Sequence, residues 1–195
     1  MTRLLLATTN VGKQREFRRL LARVAADIVT PDEIGLSLEV DEPHDTYAEN
    51  AVAKADAYAR ASGLLSMADD SGIEVAALDW GPGVRSARWG EGRNADKLLE
   101  ALGDATDRRA RMVCVLALAR PGTHDSLVES FTGIVDGWIT HDHRGSGGFG
   151  YDPIFLVPGG LTTAEMAESE KDLVSHRGQA VAAAMDRLRE LLVEP

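Results

Sequence analysis

The chain has 195 residues, 44% of them hydrophobic and 27% charged, and 21 Lys+Arg set against 31 Asp+Glu leave a net charge of −10. A composition this close to the globular average excludes a disordered tail or a collagen-like repeat, and a chain of this length buries a sizeable core without staples. The acidic balance excludes a surface that coats nucleic acid, so any anionic ligand must be met by a local cation cluster or by a metal.

In chain order, Leu4–Ala7 is a short continuous apolar run fit for a buried strand, and Thr8–Gly12 is a polar turn. Phe17, Leu20, Leu21 and Val24 recur at i, i+3, i+4 and i+7, which is one face of a helix. Val29–Val40 is mixed and reads as a turn and a short strand. Thr46 and Glu49 fit a capping box that opens an Ala-rich helix to Ser62, with Tyr47, Ala51, Ala55 and Tyr58 on one side and Gly63 as its C′ residue. Leu64–Ala68 is then a strand that ends in Asp69-Asp70-Ser71-Gly72.

Trp80–Arg93, rich in Gly, Pro and Arg, reads as an irregular loop, and Asn94–Leu102 as a short helix. Met112–Ala119 and Leu127–Ile139 read as two strands of a hairpin through Pro121-Gly122. A glycine-dense loop, Gly145–Gly150, precedes the apolar stretch Ile154–Val157. Ser175 caps a last helix that turns Val181, Ala184, Met185, Leu188 and Leu191 inward. There is no repeat or linker, so the expectation is one α/β unit. The single cysteine, Cys114, sits in an apolar run and reads as a buried thiol. The apolar start is too short for a signal peptide and no run approaches ~18 apolar residues, so the expectation is a soluble cytoplasmic protein without a membrane partner.

Four segments carry chemistry. Thr8-Thr9-Asn10-Val11-Gly12-Lys13 lies at a strand-to-helix junction, where backbone N–H groups, the helix dipole and the Lys13 charge suit an anion. The same residues also fit an ordinary turn capped by Asn10. Asp69 and Asp70 are adjacent carboxylates whose repulsion a hard divalent cation relieves, and Mg²⁺ prefers few carboxylates plus phosphate oxygens. A plain turn is the other reading of that quartet. Gly145–Pro153 formally contains G-x-G-x-x-G, but it opens no helix and is no dinucleotide fingerprint. Its glycines permit close backbone approach, and Phe149 and Tyr151 suit stacking on a planar base; otherwise it is a mobile loop. His176 and Arg177, at the start of the last helix, form a donor set for a carbonyl or a phosphate.

Weaker candidates are His141 and His143, which lack a third ligand at sensible spacing and read as a solvated loop. Arg85, Arg88 and Arg93 suit contact with a phosphate or with a partner chain. Arg108, Arg109 and Arg111 read as a solvated basic run.

Taken in register, six segments resemble the inosine triphosphate pyrophosphatase family, enzymes that hydrolyse non-standard purine nucleoside triphosphates. They are Leu6–Lys13, Tyr47–Ala51 with Lys54, Ala68–Gly72, Gly81–Arg88, Gly147–Phe155 and Ser175–Gly178. Their order and spacing match nearly end to end; Gly90–Asn94 is shorter than the insertion usual there. The resemblance implies an α/β fold, a long mixed β-sheet flanked by helices, with two lobes of a single pyrophosphatase domain and a nucleotide cleft between them. It also implies a homodimer, Mg²⁺, and cleavage of ITP, dITP and XTP to the nucleoside monophosphate and pyrophosphate.

Carried over by position, Thr8, Thr9, Asn10, Val11, Gly12 and Lys13 would hold the triphosphate, with Lys54 adding charge. Glu42 and Asp70 would serve the metal with Asp69 in support, and Asp70 would accept the proton. Ser71 would touch the nucleotide, and Phe149, Gly150, Tyr151, Asp152, Lys171, His176 and Arg177 would form the base pocket. Two other functions fit the same residues: a sensor that binds nucleotide without hydrolysis, and a related triphosphatase preferring modified pyrimidines or standard nucleotides.

Overall fold

The computed structural model describes residues 2–90, 92–122 and 127–193. Its elements are β1 (Arg3–Leu6), α1 (Val11–Leu20), β2 (Asp27–Val29), α2 (Tyr47–Ser62), β3 (Leu65–Val75), β4 (Gly81–Pro82), α3 (Asn94–Leu102), β5 (Arg109–Arg120), β6 (Leu127–Ile139), β7 (Phe155–Leu156), α4 (Glu168–Val174) and α5 (His176–Val193). Among the described residues the strands form one seven-stranded sheet in the order β2-β1-β3-β5-β6-β7, with β4 paired to β3. β1 runs parallel to β2 and β3, with Leu4 opposite Leu65 and Leu6 opposite Met67. β4 and β7 run antiparallel to β3 and β6, so the sheet is mixed, as expected.

The chain divides into two compact units. The first holds the residues up to Asp70, Cys114–Gly133 and the residues from Ala180 on; the second holds Ser71–Val113 and Ile134–Gln179. β3, β5 and β6 each contribute residues to both. The core of the first unit gathers Leu4, Leu6, Phe17, Leu21, Met67, Leu116 and Leu118 with Val181, Ala184, Leu188 and Leu191, the inward stripe expected of the last helix. Cys114 is fully buried in that core. The core of the second unit is built from Ile73, Val75, Leu98, Leu102, Met112, Ile139, Tyr151, Ile154 and Phe155. Each such aliphatic or aromatic side chain removed from water stabilises its unit by about 1.5–3 kcal/mol.

The helix at 47–62 has the expected bounds: Thr46 Oγ1 accepts from Glu49 N, and Gly63 closes it at φ 68°. α3 and β6 also keep their expected limits. Five expectations need correction. Val29–Val40 holds no strand of its own: β2 ends at Val29, and a 3-10 turn, Asp32–Ile34, follows. β3 does not end at Ala68 but runs on to Val75, because Ile73 and Val75 continue the buried alternation past the polar quartet. Burial of those two side chains outweighs the turn preference of Asp, Ser and Gly. Asp69 and Asp70 therefore lie within a strand. Val24 lies beyond the end of α1, since the chain tightens after Leu21 with Val24 N on Leu21 O and turns into β2 at Asp27.

The Trp80–Arg93 stretch is not wholly irregular. It contains β4 and a 3-10 segment, Gly83–Arg88, anchored where Ser86 Oγ accepts from Ile73 N at 2.9 Å. Arg108 is no solvated residue either: it is buried, and its guanidinium donates to the carbonyls of Gly103, Ile139 and Thr140. Within the segment noted as short, Glu91 lies outside the described residues, as do residues 123–126 beyond Pro121-Gly122, where the hairpin is expected to close. No helix among the described residues is long and apolar enough to cross a membrane.

Candidate active site

In the first unit the start of α1 meets the middle of β3. Asn10 Oδ1 accepts from Lys13 N at 3.1 Å, and Asn10 N donates to Thr8 Oγ1 at 3.2 Å. Asn10 is thus the expected N-cap, and the turn Thr8–Lys13 stands at the positive end of the α1 dipole. Lys13 Nζ lies 3.0 Å from Asp69 Oδ2, with the Lys13 side chain 15% and the Asp69 side chain 0% exposed. Cys114 Sγ approaches the same carboxylate oxygen at 3.9 Å.

α2 contributes a polar stripe on one face. Asn50, Lys54 and Tyr58 are spaced four residues apart, which stacks their side chains along the helix. Together they hold the irregular segment before α2. Tyr58 Oη donates to Leu38 O at 2.8 Å, Lys54 Nζ pairs with Glu42 Oε1, and Asn50 exchanges hydrogen bonds with the backbone of His44. Asn50 Nδ2 also donates to Asp70 Oδ2 at 3.0 Å. Lys13, Glu42, Lys54, Asp69 and Asp70 are accordingly gathered in one cluster.

The electrostatics follow from that cluster. Burial is the chief cause holding the Asp70 carboxyl above its ordinary range, and the Glu42 charge adds to it; the Asn50 hydrogen bond, Lys13 and Lys54 oppose the shift without cancelling it. Burial by itself would lower the Lys54 pKa, but the carboxylates of Asp69, Glu42 and Asp70 outweigh it and hold the ammonium above its ordinary value. A buried carboxyl with a raised pKa is better suited to accept a proton than an ordinary surface aspartate.

The donor set can be tested for Mg²⁺. Glu42 and Asp70 offer hard carboxylate oxygens and repel each other, which a divalent cation would offset. Among the described residues no group of three or more His, Cys, Asp and Glu is arranged to hold a metal. Two carboxylates with the remaining positions left to phosphate oxygens and water is the pattern Mg²⁺ takes, so these residues fit it.

In the second unit, Asp152 is the hub. Its Oδ2 accepts from Lys171 Nζ at 2.6 Å and from Phe149 N at 2.7 Å, and its Oδ1 accepts from Thr163 Oγ1 at 2.7 Å. Gly148, at φ 70°, has no room for a side chain, because a Cβ there would run into the Asp152 carboxylate. The Phe149 ring has Lys171 Nζ 5.6 Å and Arg177 Cζ 5.2 Å from its centroid, both in cation–π range. Arg177 Nη2 donates to Ser71 Oγ at 2.8 Å. His176 and Arg177 are buried at the start of α5, and Gly178 lets that helix pass against the carbonyl of Asp172. Tyr151 Oη donates to Ser86 O at 2.9 Å, and burial pushes its pKa up, so it stays a donor.

Ser71, Phe149–Asp152, Lys171, His176 and Arg177 thus all belong to the second unit, and the triphosphate and metal candidates to the first. Asp70 and Ser71 are consecutive residues of β3. Two residues were not singled out from the sequence. Asn50 stood inside the quoted Tyr47–Ala51 segment, where its four-residue spacing to Lys54 was the available signal. Thr163 gave none, because its partner Asp152 is eleven residues away across an irregular segment.

Comparison with known proteins adds an independent line. The profile of the Ham1 family matches residues 4–187. The dITP/XTP pyrophosphatase of Symbiobacterium thermophilum is 46% identical over 199 residues, covering 98% of each chain. A HAM1 protein from Coxiella burnetii aligns with a TM-score of 0.82 at 37% identity, covering 100% of both chains. The Staphylococcus aureus Ham1 protein aligns with a TM-score of 0.82 at 35% identity, over 97% of this chain and 100% of that one. The resemblance carried by the six sequence segments is borne out, and so is the α/β fold with a mixed sheet.

Proposed function

This chain belongs to the Ham1 family, and from that premise we propose that it hydrolyses non-standard purine nucleoside triphosphates, dITP, XTP and ITP, to the nucleoside monophosphate and pyrophosphate. The observation that carries the reading is the buried Lys13–Asp69 ion pair beside Asp70, which joins the phosphate-ready helix start to the acidic strand. The reading extends to a cytoplasmic homodimer that uses Mg²⁺.

The triphosphate belongs with the Thr8–Lys13 turn, where the α1 N-terminus and the Lys13 ammonium oppose its negative charge. Lys54, held beside Glu42 and near both aspartates, adds a second cation to that group. Water attacks the α-phosphorus; the new P–O bond forms as the bond to the α,β-bridging oxygen breaks, and pyrophosphate leaves with that electron pair. Asp70 accepts the proton of the attacking water, a role worth about 10²–10⁴ in rate. Mg²⁺ held by Glu42 and Asp70, with Asp69 in support, would supply charge neutralisation at the phosphates.

The base belongs with Phe149, Tyr151, Lys171, His176 and Arg177. Hypoxanthine and xanthine present a 6-oxo acceptor, whereas adenine presents a 6-amino donor. A donor-rich wall leaves adenine facing unpaired donors, and such a mismatch discriminates strongly.

Product analysis with dITP, XTP and Mg²⁺ tests the whole reading. Pyrophosphate with the monophosphate is the expected result. Phosphate with the diphosphate would move the cleaved bond, intact nucleotide under tight binding would indicate a sensor, and faster turnover of dTTP or ATP would overturn the base-pocket argument.

A further inference from the structure

Three side chains of α2 clamp the irregular segment before it: Asn50 at His44, Lys54 at Glu42 and Tyr58 at Leu38. Asn50 also reaches across to β3, by a hydrogen bond. Asn50 is 2% exposed. Its Oδ1 accepts from His44 N at 3.1 Å, while its Nδ2 donates to His44 O at 3.2 Å and to Asp70 Oδ2 at 3.0 Å. Turning the amide over would set its oxygen against both a carbonyl and a carboxylate, so the partners fix its orientation. His44 is two residues from Glu42. One side chain therefore fixes both the backbone that carries Glu42 and the carboxylate of Asp70.

We infer that Asn50 is the positioning residue that sets the separation and orientation of the Glu42 and Asp70 carboxylates for a divalent cation. The inference rests on the metal assignment of those two residues above and adds how they are held. The two carboxylates repel each other, and an amide that donates to one and grips the chain of the other keeps them convergent without contributing a negative charge. Aspartate at position 50 would keep the size but lose the donor and add repulsion. Leucine would lose all three hydrogen bonds.

The test is Mn²⁺ binding to nucleotide-free protein, read by electron paramagnetic resonance of free Mn²⁺, beside thermal melting. Asn50→Ala should melt as a folded protein and bind Mn²⁺ at least about tenfold more weakly than wild type, the usual scale for loss of an outer-shell partner. Asn50→Ser, too short to reach Asp70, should do the same. Tyr58→Phe frees the same segment at Leu38 without touching Asp70 and should bind Mn²⁺ close to wild type. Activity of Asn50→Ala should recover in part as Mg²⁺ is raised.

Unchanged Mn²⁺ affinity in folded Asn50→Ala overturns the inference, as does an equal loss in Tyr58→Phe, which would assign the effect to the segment alone. Failure of both Asn50 variants to fold makes the residue structural and also overturns it. Wild-type protein that binds Mn²⁺ but splits neither dITP nor XTP would refute the proposed reaction and leave this inference standing; wild-type protein that binds no Mn²⁺ would refute the inference.

Discussion

Lys171 and Asp152 form an ion pair 2.6 Å long in which neither side chain is more than 5% exposed. Such a pair is costly to break from one side, because the surviving charge stays buried and unmatched. Asp152 answers that cost with two further donors, Phe149 N and Thr163 Oγ1, so both of its oxygens are engaged inside the protein. The carboxylate therefore orients Lys171 and the Phe149 loop, two parts of the proposed base pocket.

Asp152→Ala should destabilise the protein by about 3–5 kcal/mol, the scale of a broken buried pair. Thr163→Val removes one hydrogen bond to a charged group and should cost about 1.5–3 kcal/mol. Chemical denaturation measures both. In the milder variant KM for XTP should rise while kcat is largely kept, since Asp70 is untouched. A fall in kcat alone would show that this network serves the reacting phosphate.

Asp70→Asn should lose at least roughly a hundredfold in kcat, because the amide cannot take the proton of the attacking water. Stability should move the other way. Burial and the Glu42 charge raise the folded-state pKa of Asp70, so the folded protein holds that proton more tightly than the unfolded chain. The resulting penalty is absent below the ordinary carboxylate pKa, grows as pH rises through the folded value, and is complete above it. Measured in chelator, Asp70→Asn should match wild type in acid and melt higher near neutral pH. Near-normal turnover, or a lower melting temperature at neutral pH, would contradict the assignment.

The helices that frame this candidate site were legible in the sequence because local rules govern them. Thr46, Glu49 and Gly63 bound α2 by capping chemistry, and Asn10 caps α1 in the same way. What escaped was tertiary. The quartet Asp69–Gly72 has turn composition, yet the burial of Ile73 and Val75 keeps it extended. Arg108 looks like a surface cation, but three carbonyls converge on its guanidinium. Thr163 acts only through Asp152, and no periodicity links them.

Arg177 makes two contacts within the proposed base pocket, through Nη2 to Ser71 Oγ and through its guanidinium near the Phe149 ring. Lysine keeps the charge but loses the planar fork that serves both contacts. Arg177→Lys should lower the preference for dITP over dATP, measured as the ratio of kcat/KM values, by roughly tenfold, the scale of one poorly matched polar contact. Both nucleotides falling equally would place Arg177 on a part of the substrate that they share.

Lys13 faces Asp69, whose side chain is wholly buried, so its two expected roles separate in a double substitution. Lys13→Met removes the ammonium 3.0 Å from the buried Asp69 carboxylate, on which Lys54 also acts, and should cost on the order of 3 kcal/mol of stability. Asp69→Asn in the same chain removes that buried charge and should restore most of that loss, because an amide is far cheaper to bury than a carboxylate. Substrate binding should not follow. If Lys13 also carries triphosphate charge, KM for dITP stays raised in the stabilised double variant, since neutralising Asp69 returns no cation to the α1 N-terminus. Recovery of KM together with the melting temperature would show that Lys13 serves only to neutralise Asp69, and the triphosphate would then rest on Lys54 and the backbone of the Thr8–Gly12 turn.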